Sequence, residues 1–164
     1  MNADGSGSPG QGLNEPGGVQ VGHKMSKPLL NGREEIKVSS IDEIMGMLDW
    51  NNSREEQLRG IELAREVKCI NVFLQPGKPY GGPVWDNCAL IVSEKNDEEL
   101  EPYLVKLMEW LEDMNWPGAF CILDRLTLYS KDANFERAYE KSITCAKAWD
   151  DEVWESNLRM IKER

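Results

Sequence analysis

The stretch LVKLMEWLEDMNWPGAFCILDRL, residues 104–126, decides the fold, because apolar side chains recur at helical spacing on both sides of a polar corner. The apolar positions are Leu104, Leu107, Met108 and Leu111 before the corner, and Ala119, Ile122, Leu123 and Leu126 after it. A repeat of three to four positions places each set on one face of a helix. Asn115 is the predicted cap of the second helix, with Pro117 in its first turn. The stretch is therefore a helical hairpin that must bury two apolar faces against further helices.

Helix-start signals extend this pattern outward to about seven helices. An N-cap side chain accepts hydrogen bonds from the free N–H groups of the first turn, and a glutamate three residues later can return the bond. The predicted caps are Ser40 with Glu43, Ser53 with Glu56, Asn96 with Glu99, and Asp150 or Asp151. Leu58 and Val153 are placed on the buried faces of the second and last helices. Residues 75–83 contain three prolines and three glycines in nine positions, which predicts the main loop.

Three corners of the predicted helices combine tryptophan with carboxylates. They are LDWN at 48–51, DMNW at 113–116 and WDDE at 149–152. The first two aspartates, Asp49 and Asp113, lie 64 positions apart, and the third corner follows about 36 positions later. This spacing suits helix pairs of about 30 to 40 residues. We therefore predict an all-α fold of stacked helical hairpins, a HEAT- or armadillo-like α-solenoid.

The N-terminal quarter has a different composition from the rest. Residues 1–40 hold eight of the fourteen glycines, three of the eight prolines, no cysteine and no aromatic residue. Such a segment buries too little apolar surface to offset the entropy of ordering a backbone. We predict a disordered leader over residues 1–39 and an all-helical repeat domain over residues 40–164. Because acids and bases balance in the leader, the net charge of −10 belongs to the helical domain.

The charge and the apolar runs exclude two classes of partner. An acidic surface repels phosphate backbones, so nucleic-acid binding is not expected, whereas a basic protein partner is compatible with this charge. Solubility alone also explains an acidic surface. No apolar run approaches the length that spans a bilayer, and no signal-peptide pattern is present, so we predict a cytoplasmic protein without membrane contact.

No catalytic constellation is recognisable. His23 is the only histidine, which excludes Ser-His-Asp and Cys-His arrangements in the helical domain. Cys69, Cys88, Cys121 and Cys145 lack the close spacing of zinc ligands and are predicted to be reduced core residues. We expect no metal and no cofactor. The abundant carboxylates concentrate in first turns of helices and on faces opposite the apolar stripes, which is typical of solvated surface.

All six tryptophans lie in the predicted helical domain. An aromatic side chain at a corner packs neighbouring helix pairs together, but tryptophan is also favoured at binding hot spots. Trp110 lies near the edge of its apolar stripe and is expected to be partly exposed. The predicted partner-binding residues are Trp50, Glu109, Trp110, Glu112, Asp113 and Trp116.

The run at residues 101–120, with WLEDMNWPGA at 110–119, resembles the signature of an uncharacterised family of small bacterial helical proteins, a domain of unknown function. LDWNN at 48–52 and VWDNCA at 84–89 are also similar to members of that family, so the resemblance covers about residues 40–160. It implies a HEAT-like repeat fold with no established activity. For some relatives it implies a role as immunity proteins against secreted toxins.

Three hypotheses about function follow. The first is a non-enzymatic protein-binding module that holds a basic partner, as an immunity-type inhibitor of a basic toxin would. The second is a scaffold or regulatory subunit that self-associates or docks an enzyme through an apolar end of the stack, which light scattering would detect. The third is a carboxylate-based hydrolase, which requires two acids about five to ten ångströms apart in a concave pocket.

Overall fold

The computed structural model describes residues 39–164, in which all regular secondary structure is helical. The helices are α1 Ile41–Met47, α2 Arg54–Arg65, α3 Trp85–Ser93, α4 Asp97–Leu100, α5 Leu104–Glu109, α6 Ala119–Leu128, α7 Ala133–Ala148 and α8 Glu152–Glu163. Four 3-10 segments, Ile70–Phe73, Gly82–Val84, Glu101–Tyr103 and Trp110–Glu112, lie between them. No strand occurs within the described residues, so the all-α prediction is confirmed. Apart from Ser39, the predicted leader lies outside the described residues.

Residues 97–112 form one continuous rod in which α4 and α5 alternate with two of the 3-10 segments. Pro102 lies in the first of these 3-10 segments, because proline lacks the N–H group that an α-helix interior requires. When this rod is counted once, the described residues contain seven helices, as the sequence predicts.

The predicted caps are present at four helix starts. Each cap side chain accepts a hydrogen bond from a backbone N–H group of the first turn. The pairs are Ser40 with Glu43, Ser53 with Glu56, Asn96 with Glu99, and Asp151 with Trp154. In the first and third pairs the glutamate also accepts a bond from the cap backbone, which completes a capping box.

The predicted start of α6 is wrong. Gly118 occupies the cap position with a left-handed φ of 81°, whereas the Asp113 carboxylate accepts bonds from the backbone and side-chain nitrogens of Asn115 at 2.8 and 2.9 Å. This local turn removes Asn115 and Pro117 from the helix start. A side chain at position 118 would lie 2.4 Å from the Cβ atom of Ala89, so only glycine allows α6 to approach α3 this closely.

Each helix packs against a neighbour through the predicted apolar stripes. α1 contacts α2, α2 contacts α3, α3 contacts α6, and α6 contacts α8, while α7 contacts both α5 and α8. All eight stripe residues of the stretch 104–126 are buried in one core cluster, which confirms the two faces predicted for the central hairpin.

Leu58 and Val153 are exposed, contrary to the sequence prediction. The packed face of α2 is centred on Gly60, Ile61 and Ala64, so Leu58 lies beyond the edge of this face. In α8, the first turn buries Trp154 instead of its neighbour Val153. Periodicity alone cannot tell which side of a short stripe meets the neighbouring helix.

The junction between α7 and α8 is a Schellman motif closed by an unusual residue. Asp151 N–H donates to the Ala146 carbonyl at 2.9 Å, and Asp150 N–H donates to the Lys147 carbonyl at 3.2 Å. Asp150 occupies the left-handed position with a φ of 56°, where glycine is the usual residue. Its carboxylate also lies at the negative end of the α7 dipole.

Asp150→Gly is therefore expected to raise the free energy of unfolding by about 1 kcal/mol, because glycine adopts the left-handed conformation without steric cost. Urea denaturation followed by circular dichroism measures the change. Asp150→Ala removes the charge but keeps the Cβ atom. Equal stabilisation by alanine and glycine would contradict the conformational explanation and assign the effect to charge.

Candidate partner-binding face

Three corners of the chain meet at one end of the helices. Asn87 in the first turn of α3 donates to the Leu48 carbonyl at 2.7 Å, next to the first corner. Asn157 in α8 donates to the Leu111 carbonyl at 2.8 Å, next to the second corner. The third corner leads directly into α8. We define the turn face as residues 49–52, 85–86, 112–120 and 149–153.

The first two corners have the same hydrogen-bond pattern. The Asp49 carboxylate accepts from the backbone and side-chain nitrogens of Asn51, both at 2.8 Å, as Asp113 does with Asn115. In each case an asparagine of a later helix binds the carbonyl one or two residues before the aspartate. The sequence echo between these corners is thus a repeat of structure.

A tryptophan cluster supports the middle of the turn face. Trp85 lies edge-on to Trp110 at 6.2 Å and to Trp116 at 5.7 Å between ring centroids. The Trp110 indole N–H donates to the Pro117 carbonyl at 3.0 Å. Trp110 is fully buried, so the prediction that it is partly exposed is wrong. Its ring fills the space between α3 and the second corner and is inaccessible to a partner.

Exposed apolar side chains concentrate on the turn face. Of the seven large apolar residues that are exposed among residues 39–164, four lie there. These four are Trp50 at 47% exposure, Phe120 at 56%, Trp149 at 66% and Val153 at 64%. Grouped exposed apolar side chains mark interaction surfaces more often than scattered ones do.

The segments of the turn face also contain seven carboxylates. They are Asp49, Asp86, Glu112, Asp113, Asp150, Asp151 and Glu152. None of them forms an ion pair with another described residue, whereas Glu109, one turn away, pairs with Lys106 at 2.6 Å. The turn face itself therefore contains seven carboxylates and no basic residue, and the nearby Lys106 and Lys147 pair with Glu109 and Glu155 outside it.

Burial raises the pKa of Glu112, and the neighbouring carboxylates of Glu109 and Asp151 raise it further. Asp49 and Asp113 accept bonds that hold their corners, and Asp151 caps α8. The other four carboxylates of the turn face have no such structural role among the described hydrogen bonds. They are Asp86, Glu112, Asp150 and Glu152.

Residues 86–162 match the model of a known protein family. That family is DUF5071, a domain of unknown function. The predicted resemblance to an uncharacterised family is thereby confirmed. The DUF5071 segment runs from the first turn of α3 to the last turn of α8 and includes the second and third corners, together with the run at 110–119. No curated protein and no solved structure matches the chain significantly.

The structure places the six predicted binding residues in three environments. Trp50, Glu112, Asp113 and Trp116 lie on the turn face, and Trp116 is half-buried. Glu109 lies beside this face and is paired, whereas Trp110 belongs to the core.

The structure adds four residues of the turn face to the candidate partner-binding residues that were predicted from the sequence. They are Phe120, Trp149, Asp150 and Glu152, and all four lie within the DUF5071 segment. The repeated tryptophan-and-carboxylate composition of the third corner is the sequence signal that could have identified most of them.

The cysteines are free thiols. Cys88 is buried, and burial raises its pKa to about 12. Cys121 and Cys145 pack against the core, but Cys69 is exposed, so its predicted core location is wrong. Cys69 lies in the segment that follows α2, where its Sγ atom donates to the Asn71 side chain at 2.8 Å.

Residues 39–164 contain neither a metal-binding cluster nor a membrane-spanning helix. No group of three or more His, Cys, Asp and Glu side chains in this range could hold a metal ion. None of the helices in the described range has the length and apolar character needed to cross a membrane.

Proposed function

We propose that this chain is a non-enzymatic protein-binding module and that the turn face holds a basic protein partner. The observation that carries the proposal is the grouping of four exposed apolar side chains with seven carboxylates that lack ion pairs among residues 39–164. Aromatic anchors surrounded by polar groups are the usual composition of a protein interface. A basic partner would supply the missing cations.

The placement of the acids supports this function over simple solubility. Asp150 lies at the C-terminal end of α7 in a left-handed conformation, and Glu112 ends the rod of residues 97–112 beside two other carboxylates. Negative charges at helix C-termini and near each other lower stability. Solubility requires no charge at these positions, whereas a positively charged partner would relieve the repulsion.

We further propose that the helices stack as a short HEAT-like solenoid. α3, α6 and α8 form one row of contacting helices, and α5 and α7 form a second. The shared hydrogen-bond pattern of the first two corners supports a repeated unit. Such stacks bind partners on extended surfaces formed by several repeats, and the turn face draws on three corners in this way.

A non-enzymatic module with an acidic, aromatic binding face would suit an immunity-type inhibitor of a basic toxin. A cytoplasmic setting is consistent with its four free thiols, because thiols stay reduced there. Self-association through the same apolar groups is less favourable. It would bring the uncompensated carboxylates of two copies together, and like charges across an interface repel.

A charge-neutralised variant tests the proposal. Glu112→Gln, Asp150→Asn and Glu152→Gln together remove three charges from carboxylates that have no structural role among the described hydrogen bonds. The triple variant is expected to retain about a tenth or less of the partner that the unmodified protein captures from lysate of its native host. Capture by the unmodified protein should also fall as salt rises.

The matched control removes the same number of charges elsewhere, through Glu66→Gln, Glu98→Gln and Glu140→Gln. These glutamates are exposed, lie outside the turn face and form no ion pair with a described residue. The control should capture the partner as well as the unmodified protein does. Equal loss in both triple variants would indicate a general effect of charge and would overturn the assignment to the turn face.

A further inference from the structure

We infer that the turn face recognises arginine, with a guanidinium group of the partner stacked on the indole of Trp149 and paired with the carboxylates beside it. This inference rests on the proposed function and specifies the partner's chemistry. It is carried by the environment of Trp149, which differs from that of the other exposed apolar residues.

The Trp149 indole is supported on one side and open on the other. It stacks on Trp154 with ring centroids 5.7 Å apart and an interplanar angle of 29°, yet 66% of its surface is exposed. Trp154 is buried, and its indole N–H donates to the Met108 carbonyl at 2.9 Å. The backbone N–H of Trp149 donates to the Cys145 carbonyl at 3.0 Å, which fixes the main chain that carries the ring. A ligand that stacks on Trp149 therefore meets a ring that is already ordered.

The charges next to Trp149 favour a cation. A cleft of about 140 Å³ is lined by Ala146, Lys147, Asp150, Asp151, Glu152 and Glu155. Its one cation, Lys147, lies 3.9 Å from Glu155, which also pairs with Arg159 from outside the cleft. Asp150 and Glu152 therefore remain without a cation among the described residues. Asp150 follows Trp149 directly along the chain and Glu152 lies three positions after it, so both carboxylates belong to the same corner as the exposed indole.

Arginine fits this arrangement better than lysine. A guanidinium is planar, so it can stack on an indole and still donate two parallel hydrogen bonds to a carboxylate. An ammonium group acts as a compact, strongly hydrated point charge. Trp50 is also exposed, but the nearest carboxylate in its corner, Asp49, already accepts two bonds from Asn51.

Two synthetic peptides that alternate glycine with either five arginines or five lysines provide the test. Isothermal titration calorimetry with the full-length chain at about 50 mM salt measures both affinities. We expect the arginine peptide to bind about tenfold more tightly. Trp149→Ala should weaken binding of the arginine peptide about fivefold to tenfold and remove the preference. Leu128→Ala, the control at an exposed apolar residue outside the turn face, should change either affinity less than about twofold.

Circular dichroism would establish that both variants fold, since both residues are exposed. Equal affinity for the two peptides, no binding of either, or a preference lost through Leu128→Ala and not through Trp149→Ala would each overturn the arginine inference. The proposed function fails by a different result, namely retention of the partner by the variant neutralised at Glu112, Asp150 and Glu152.

Discussion

Gly118→Ala is expected to lower the free energy of unfolding by about 3 kcal/mol or more. Two effects add. An alanine in the left-handed conformation costs about 1–2 kcal/mol, and its Cβ atom would lie 2.4 Å from the Cβ atom of Ala89 and 3.0 Å from the Trp85 carbonyl oxygen. Neither neighbour can rotate away, because both atoms belong to or adjoin the backbone of α3.

Urea denaturation of the purified chain measures the effect of Gly118→Ala. Gly46→Ala is the matched control, because Gly46 lies within α1 and a Cβ atom there would have no neighbour within 4 Å. That control is expected to raise the free energy of unfolding by about 0.5–1 kcal/mol. A loss below about 1 kcal/mol for Gly118→Ala would contradict the close contact between α6 and α3.

Trp110→Ala is expected to lower the free energy of unfolding by about 3–5 kcal/mol. The Trp110 ring is fully buried against Trp85, and its N–H group bonds the Pro117 carbonyl at 3.0 Å. Truncation would leave a cavity beneath the second corner and an unpaired carbonyl beside it. Thermal and urea denaturation report the loss.

Trp149→Ala makes the same chemical change at an exposed site, and its expected cost is below about 1 kcal/mol. The Trp110→Ala variant should still capture the partner at a temperature where it is folded and the second corner is intact. Reduced capture under those conditions would contradict the conclusion that Trp110 lies in the core and does not contact a partner. A loss in stability as small as that of Trp149→Ala would have the same consequence.

Gly118 and Trp110 together position the second corner of the turn face. Gly118 allows α6 to lie against α3, and Trp110 fills the space that this contact encloses. The two residues thus position Trp116 and Phe120 without contacting a partner themselves. Residues inside the run at 110–119 therefore divide into those that build the corner and those that are presented on it.

The sequence by itself determined the elements. Helical apolar spacing predicted which faces of the central hairpin are buried, and serine and asparagine caps predicted where several helices begin, including those at Ser40 and Asn96. These features depend on bonds and contacts between residues that are three or four positions apart, so they can be recognised without knowledge of the rest of the fold.

Only the tertiary structure decided what the elements present to solvent. Gly118 replaced Asn115 as the cap because α6 approaches α3, and Trp149 gains its support from Trp154. Trp110 is buried because α3, through Trp85, packs over it beside the second corner. The candidate site is a meeting of three corners separated by up to a hundred residues. Such a meeting depends on how helices pack at long range, and spacing along the chain does not encode which ends converge.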